Sequence, residues 1–139
     1  MSSPLLALLA FTAWTLGLVL VVISYRTALV LMGRKTATDF PSGQEHGPGW
    51  YWRCNRAHAN ALENLLPFAV IVLVGHAAGH TGALFGQLAW SVVGLRGMQT
   101  LAHLIADTPW SVAFRATFYF LQLIAFVGMG GLLLGDLIA

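Results

Sequence analysis

The chain has 139 residues, 58% of them hydrophobic and 9% charged, with a mean hydropathy of +0.75 and a formal net charge of +2. A soluble domain carries about 25% charged residues. A surface this poor in charge excludes a protein wetted on all sides, and lipid is the solvent that fits.

One short domain over residues 1–139 is expected from this length. The first element, at about 5–32, begins "LLALLAFTAW" and carries a single charge, Arg26. No basic residue precedes its apolar run, which continues well past the core of a cleavable leader, so a span is expected and not a signal peptide. The segment "GRKTATDFPSGQEHGPGW" follows, rich in Gly, Pro, Ser and Thr, and reads as the one extended connection. A second helix, at about 53–77, starts polar and ends apolar. A third, at about 83–106, is interrupted by Arg96, and a fourth covers about 112–138. Each approaches the ~20 residues a spanning helix needs, so the expected fold is an all-α four-helix transmembrane bundle. Four soluble helices of this size could not bury so much apolar surface among themselves.

The basic residues are placed asymmetrically. Arg34, Lys35, Arg53 and Arg56 lie in or beside the first connection, and Arg96 and Arg115 flank the third. "GHAAGHTGALFG" between helices two and three has no Lys or Arg. The positive-inside rule puts both basic connections on the cytoplasmic side and both termini outside. For a bacterial chain the membrane would be the inner one.

The single cysteine, Cys54, excludes an internal disulfide and is expected as a small buried side chain. His76 and His80 share a helix face, but two ligands are too few for a metal, and no metal site is expected. No phosphate-binding glycine loop is present, and no nucleic-acid partner is expected.

Chemistry concentrates in "WYWRCNRAHANALENLLPFAVIVLVG", which starts at Trp50. At about 100° per residue, Arg53, Arg56, Asn60 and Glu63 fall within an arc of roughly 80°, and His58 points elsewhere. Charged groups facing lipid are costly, so such a stripe is expected to turn inward, find partners and mark a functional site. Arg26, Arg96 and Arg115 occupy the other three helices. Four arginine-bearing helices against one intramembrane carboxylate leave a positive surplus, which asks for an anionic ligand.

"RCNRAHANALENLLPF" resembles the signature of the MAPEG family, membrane-associated proteins in eicosanoid and glutathione metabolism, and is most similar to its prostaglandin E synthase and glutathione transferase branch. The resemblance is dense over Arg53 to Phe68. It implies a homotrimer that holds glutathione between subunits, on the cytoplasmic side, with a lipophilic second substrate supplied from the membrane. By match to the motif, Arg56, Asn60 and Glu63 would bind the peptide, with Arg53 beside them. Arg26 resembles the arginine that a neighbouring subunit contributes. Arg96, Gln99 and His103 occupy the spacing where relatives carry Arg, His, and Tyr or His, and Gln99 and His103 are expected in the glutathione site. Arg115 stands where the family's catalytic arginine is found, and Tyr119 follows one turn later. The chain departs from the branch at Ala59, where an arginine is usual, and at Ala116, where a serine is. The function implied is a glutathione transferase or peroxidase acting on lipophilic electrophiles or hydroperoxides. The alternative is a non-catalytic lipid-binding or scaffold protein of the same fold.

Overall fold

The computed structural model describes residues 2–80, 82–105 and 108–138. Four helices account for most of them: α1 (Ser3–Leu31), α2 (Gly49–Ala77), α3 (Ala83–Ile105) and α4 (Pro109–Ile138). The expected end of the third helix at Ala106 lies outside the described residues. α2 and α3 form a central pair, each packed against the other three helices, while α1 and α4 flank them on opposite sides.

Two helices start earlier than the apolar pattern indicates. α4 begins at Pro109, and its first turn is closed by a reciprocal box. The Thr108 amide donates to Ser111 Oγ at 3.2 Å, and the Ser111 amide donates to Thr108 Oγ1 at 3.2 Å. "TPWS" carries both signals, a hydroxyl cap and a proline at the first helical position. α2 begins at Gly49, after Pro48, because Trp50 and Tyr51 add a turn that packs on Tyr25 of α1. This start moves Glu63 to the middle of the 29-residue helix.

α1 and α2 end alike. Gly33 and Gly79 take the left-handed conformation (φ 67° and 72°), and the following amides, of Arg34 and His80, reach back to the carbonyls of Leu29 and Gly75. Only glycine adopts this turn without strain, so both helices stop where it stands. Pro67 lies inside α2 and has no N–H to offer the carbonyl of Glu63 one turn earlier.

The core joins helices through rings and small residues. Phe68 of α2 meets Phe11 of α1 at 5.5 Å and Phe126 of α4 at 6.0 Å, all three buried. Ala57 and Ala61 let neighbouring backbones approach. At Gly75 a Cβ would lie 2.7 Å from the ring of Phe85, so this contact admits no side chain without displacing that ring.

The outside is apolar: Leu9, Leu20, Leu66, Phe120 and Ile124 are all more than half exposed. α1, α2 and α4 are long and apolar enough to cross a membrane, and the protein is an integral membrane protein. α3 is less apolar than an expectation of four equal spans requires. Its buried face carries Arg96, Gln99, Thr100 and His103, polar groups the other three helices enclose.

The connection between α1 and α2 is ordered by local bonds. The Thr36 amide donates to Asp39 at 2.7 Å and holds that exposed carboxyl below the usual carboxylate range. Cys54 is buried, and its thiol points to the Leu18 carbonyl at 3.7 Å, in keeping with a packing role.

Candidate functional site

Three helices each present a polar ladder at helical spacing. α2 offers Arg56, Asn60 and Glu63; α3 offers Arg96, Gln99 and His103; α4 offers Arg115, Tyr119 and Gln122. Residues three, four and seven apart share one face of a helix. Side chains from all three ladders line one cavity of about 330 Å³: Arg56, Asn60, Glu63, Gln99, His103, Arg115 and Tyr119, with Val112 and Ala116.

The ladders are pinned to one another. Arg96 is 2% exposed and donates from Nη1 to Asn60 Oδ1 at 2.9 Å, with its guanidinium 5.4 Å over the Phe11 ring. Asn64 Nδ2 donates to the Asn60 carbonyl at 3.2 Å. Gln122, fully buried, donates from Nε2 to Gln99 Oε1 at 2.9 Å. Arg115 Nη1 lies 3.1 Å from His103 Nδ1. Arginine only donates, so Nδ1 accepts, and the proton of a neutral ring then sits on Nε2. Arg115 is thereby held by the end of α3 and not left to wave from the start of α4.

The stripe on α2 departs from expectation in two ways. Arg56 and Glu63 are exposed in the single chain, while Arg53 and Asn60 are half-buried. Helical periodicity groups residues on a face but does not say what that face meets, and here it opens away from the protomer's own core. Arg53 leaves the stripe: its Nε donates to the Leu104 carbonyl at 3.2 Å, and it does not line the cavity. It sits at the edge of the arc, within reach of a carbonyl in the last turn of α3.

Arg26 is likewise outside the cavity. Its Nε donates to the Tyr51 hydroxyl at 2.6 Å, and its guanidinium lies over the rings of Phe40 and Tyr51. His58 does not line the cavity either. Sequence reasoning passed over Gln122 and Asn64 as site-supporting residues. Gln122 is visible in retrospect as a polar residue one ladder step beyond Tyr119 in an apolar helix. A second, apolar cavity of about 440 Å³ opens between α3 and α4, lined by Met98, Leu101, Ile105, Trp110, Phe114 and Phe118 among others.

Apolar helices long enough to cross a bilayer, with a cavity on the bundle lined by two arginines and a carboxylate, define a membrane protein with a polar candidate site. The chain matches the MAPEG family over residues 4–135 and belongs to it, a family of membrane proteins that includes glutathione-dependent enzymes. No curated protein and no solved structure matches the chain.

Proposed function

We propose that the protein is a glutathione-dependent membrane enzyme of the transferase or peroxidase type, allied to the prostaglandin E synthase and glutathione transferase branch. The observation that carries this reading is the convergence of Arg56, Asn60, Glu63, His103, Arg115 and Tyr119 on one cavity. The donor set fits glutathione, whose two carboxylates match guanidinium groups and whose ammonium matches Glu63. When bound, glutathione supplies a thiol, of which the deprotonated form reacts with electrophiles or peroxides.

The residues divide the work. Arg56 pairs with a carboxylate in a charge-assisted bond. Asn60, fixed by Arg96, presents its amide to the peptide, and Glu63 receives the amino group. Arg115, oriented by His103, places positive charge beside the sulfur. A free thiol with a pKa of about 8.5 is only a few per cent ionised at neutral pH, so a neighbouring cation raises the reactive fraction directly. Tyr119 adds a hydroxyl donor.

Because Arg56 and Glu63 face out of the protomer, the site is completed between subunits of a homotrimer, where Arg26 of a neighbour joins it. Arg53 serves the frame of the site through Leu104. In this assembly all four helices cross the membrane as a single domain, with the site and the basic connections on the cytoplasmic side and both termini outside. The apolar cavity beside α4 favours a lipophilic second substrate. Together with Ala116, it also keeps open a second reading, a lipid-binding protein of the same fold that does not activate a thiol.

The deciding experiment is a titration of detergent-purified protein with glutathione, followed by thiolate absorbance in the ultraviolet. A saturable thiolate signal supports the enzyme. Binding without a thiolate leaves the peptide site and removes the chemistry, and no binding moves the reading to the lipid binder. Calorimetry separates the binding roles. Glu63→Gln and Arg56→Ala are expected to weaken glutathione on the order of tenfold each, the scale of one charge-assisted bond. His58→Ala should bind as the wild type does, whereas Asn60→Ala should not.

A further inference from the structure

Tyr51 has a hydroxyl held between two elements. Its side chain is fully buried, and a buried hydroxyl needs partners for both its proton and its lone pairs. Arg26 Nε, 2.6 Å away, can only donate to it. His46 Nε2 lies 3.0 Å from the same oxygen, and His46 Nδ1 lies 2.7 Å from the Gln44 carbonyl. The Gln44 carbonyl can only accept, so Nδ1 carries a proton. Neutral His46 therefore has a bare Nε2, and the Tyr51 proton goes there. Every donor then meets an acceptor: Arg26 to Tyr51, Tyr51 to His46, His46 to Gln44.

The connection is seated for this purpose. Gly47 has φ 75°, and a Cβ there would lie 2.9 Å from the Tyr51 ring, so the chain lies flat on that ring next to His46. Tyr25 packs on Tyr51 at 4.8 Å, and the Phe40 and Trp52 rings stand 6.1 and 5.8 Å from His46. The titratable or charged groups around His46 are thus Tyr51 from α2, Arg26 and Tyr25 from α1 behind it, and Glu45 beside it in the chain.

We propose that Tyr51 and His46 are positioning residues for Arg26, forming a relay that holds its guanidinium only while His46 is neutral. This rests on the reading above, in which Arg26 joins the glutathione site of a neighbouring subunit. Protonation makes Nε2 a donor. The Tyr51 proton then has no acceptor, and two cations face one oxygen, so the Arg26 bond is weakened. A charge gained by His46 in the first connection is thus passed through Tyr51 to Arg26 on α1.

The test measures binding of S-methylglutathione, which has no thiol to titrate, between about pH 5.5 and 8, the range of histidine protonation. Wild type, His46→Gln, Tyr51→Phe and Arg26→Ala are compared in the full-length protein. In the wild type, Kd should rise about three- to tenfold on acidification, the loss of one charge-assisted bond. His46→Gln should keep the neutral-pH affinity and lose this step, because the glutamine oxygen still accepts from Tyr51. Tyr51→Phe should bind about three- to tenfold more weakly at neutral pH and show no step. If Arg26→Ala weakens binding but the acid step survives in His46→Gln, or Tyr51→Phe binds normally, the relay is wrong and the site stands. If Arg26→Ala binds normally, the assignment of Arg26 fails instead. The ¹⁵N shifts of His46 test the relay without any ligand: a protonated Nε2 in the neutral ring overturns it.

Discussion

Arg115→Ala should abolish the thiolate signal of bound glutathione while leaving the affinity within about threefold of the wild type. The argument starts from thiol ionisation: lowering a pKa of about 8.5 by two units raises the thiolate fraction at neutral pH more than tenfold. Arg115 lines the cavity, is 9% exposed, and is aimed by the imidazole of His103 at 3.1 Å. A buried guanidinium near the sulfur provides that stabilisation without moving a proton of its own. In the proposed division of roles peptide binding is carried elsewhere, by Arg56, Asn60 and Glu63, so affinity and ionisation should separate. Arg115→Lys should restore part of the signal, because it retains the charge but not the fork that His103 orients. An unchanged thiolate in Arg115→Ala would remove the catalytic assignment. Equal losses of affinity and signal would show that binding and activation are not divided as proposed.

Arg96→Met should keep or raise the melting temperature and still lose glutathione affinity on the order of tenfold, the scale of one misplaced polar contact. Arg96 is 2% exposed, and among the described residues its Nε and Nη2 have no hydrogen-bond partner. A buried charge satisfied by one bond is a weak contributor to stability, and an apolar side chain of similar volume often does as well or better. Its Nη1 bond to Asn60 Oδ1 is another matter, because that bond fixes an amide in the cavity wall. Arg96→Ala should differ from Arg96→Met by unfolding more easily. It enlarges a cavity of about 240 Å³ between α1 and α3 that Phe11, Trp14 and Arg96 already line, and truncations of this kind cost on the order of 3 kcal/mol. If Arg96→Met unfolds, the guanidinium holds the bundle together. If it folds and binds as the wild type does, Asn60 is positioned by its neighbours on α2.

Much of the site can be read before any coordinates, and the reasons differ by residue. Arg56, Asn60 and Glu63 are legible because a helix repeats every 3.6 residues, and the same rule collects Gln99 with His103 and Arg115 with Tyr119. The bond between Arg96 and Asn60 is not legible, since nothing in one helix tells which residue of another it meets. The outward direction of the α2 stripe is hidden for the same reason. Arg53 shows the limit of periodicity: it satisfies the spacing at the edge of the arc, and the Leu104 carbonyl takes it away. The early start of α4 was available in "TPWS", where the hydroxyl cap counts for more than the missing hydrophobicity. The seating of His46 on Tyr51 depends on the path of a long connection, which composition does not specify.

Pro67 gives α2 a vertical polarity. Arg56 stands near the polar end of the helix, and Glu63 lies about 10 Å deeper at 1.5 Å per residue. In the same turn as Glu63, Pro67 leaves a carbonyl without its helical donor. In a bilayer such a carbonyl has to be met by water or by a donor from elsewhere. Along α2 a cation therefore stands at the polar end, and a carboxylate lies deeper, beside a carbonyl released from the helix. On the proposed reading, a zwitterion would meet a gradient of charge along one helix, carboxylate toward Arg56 and ammonium toward Glu63.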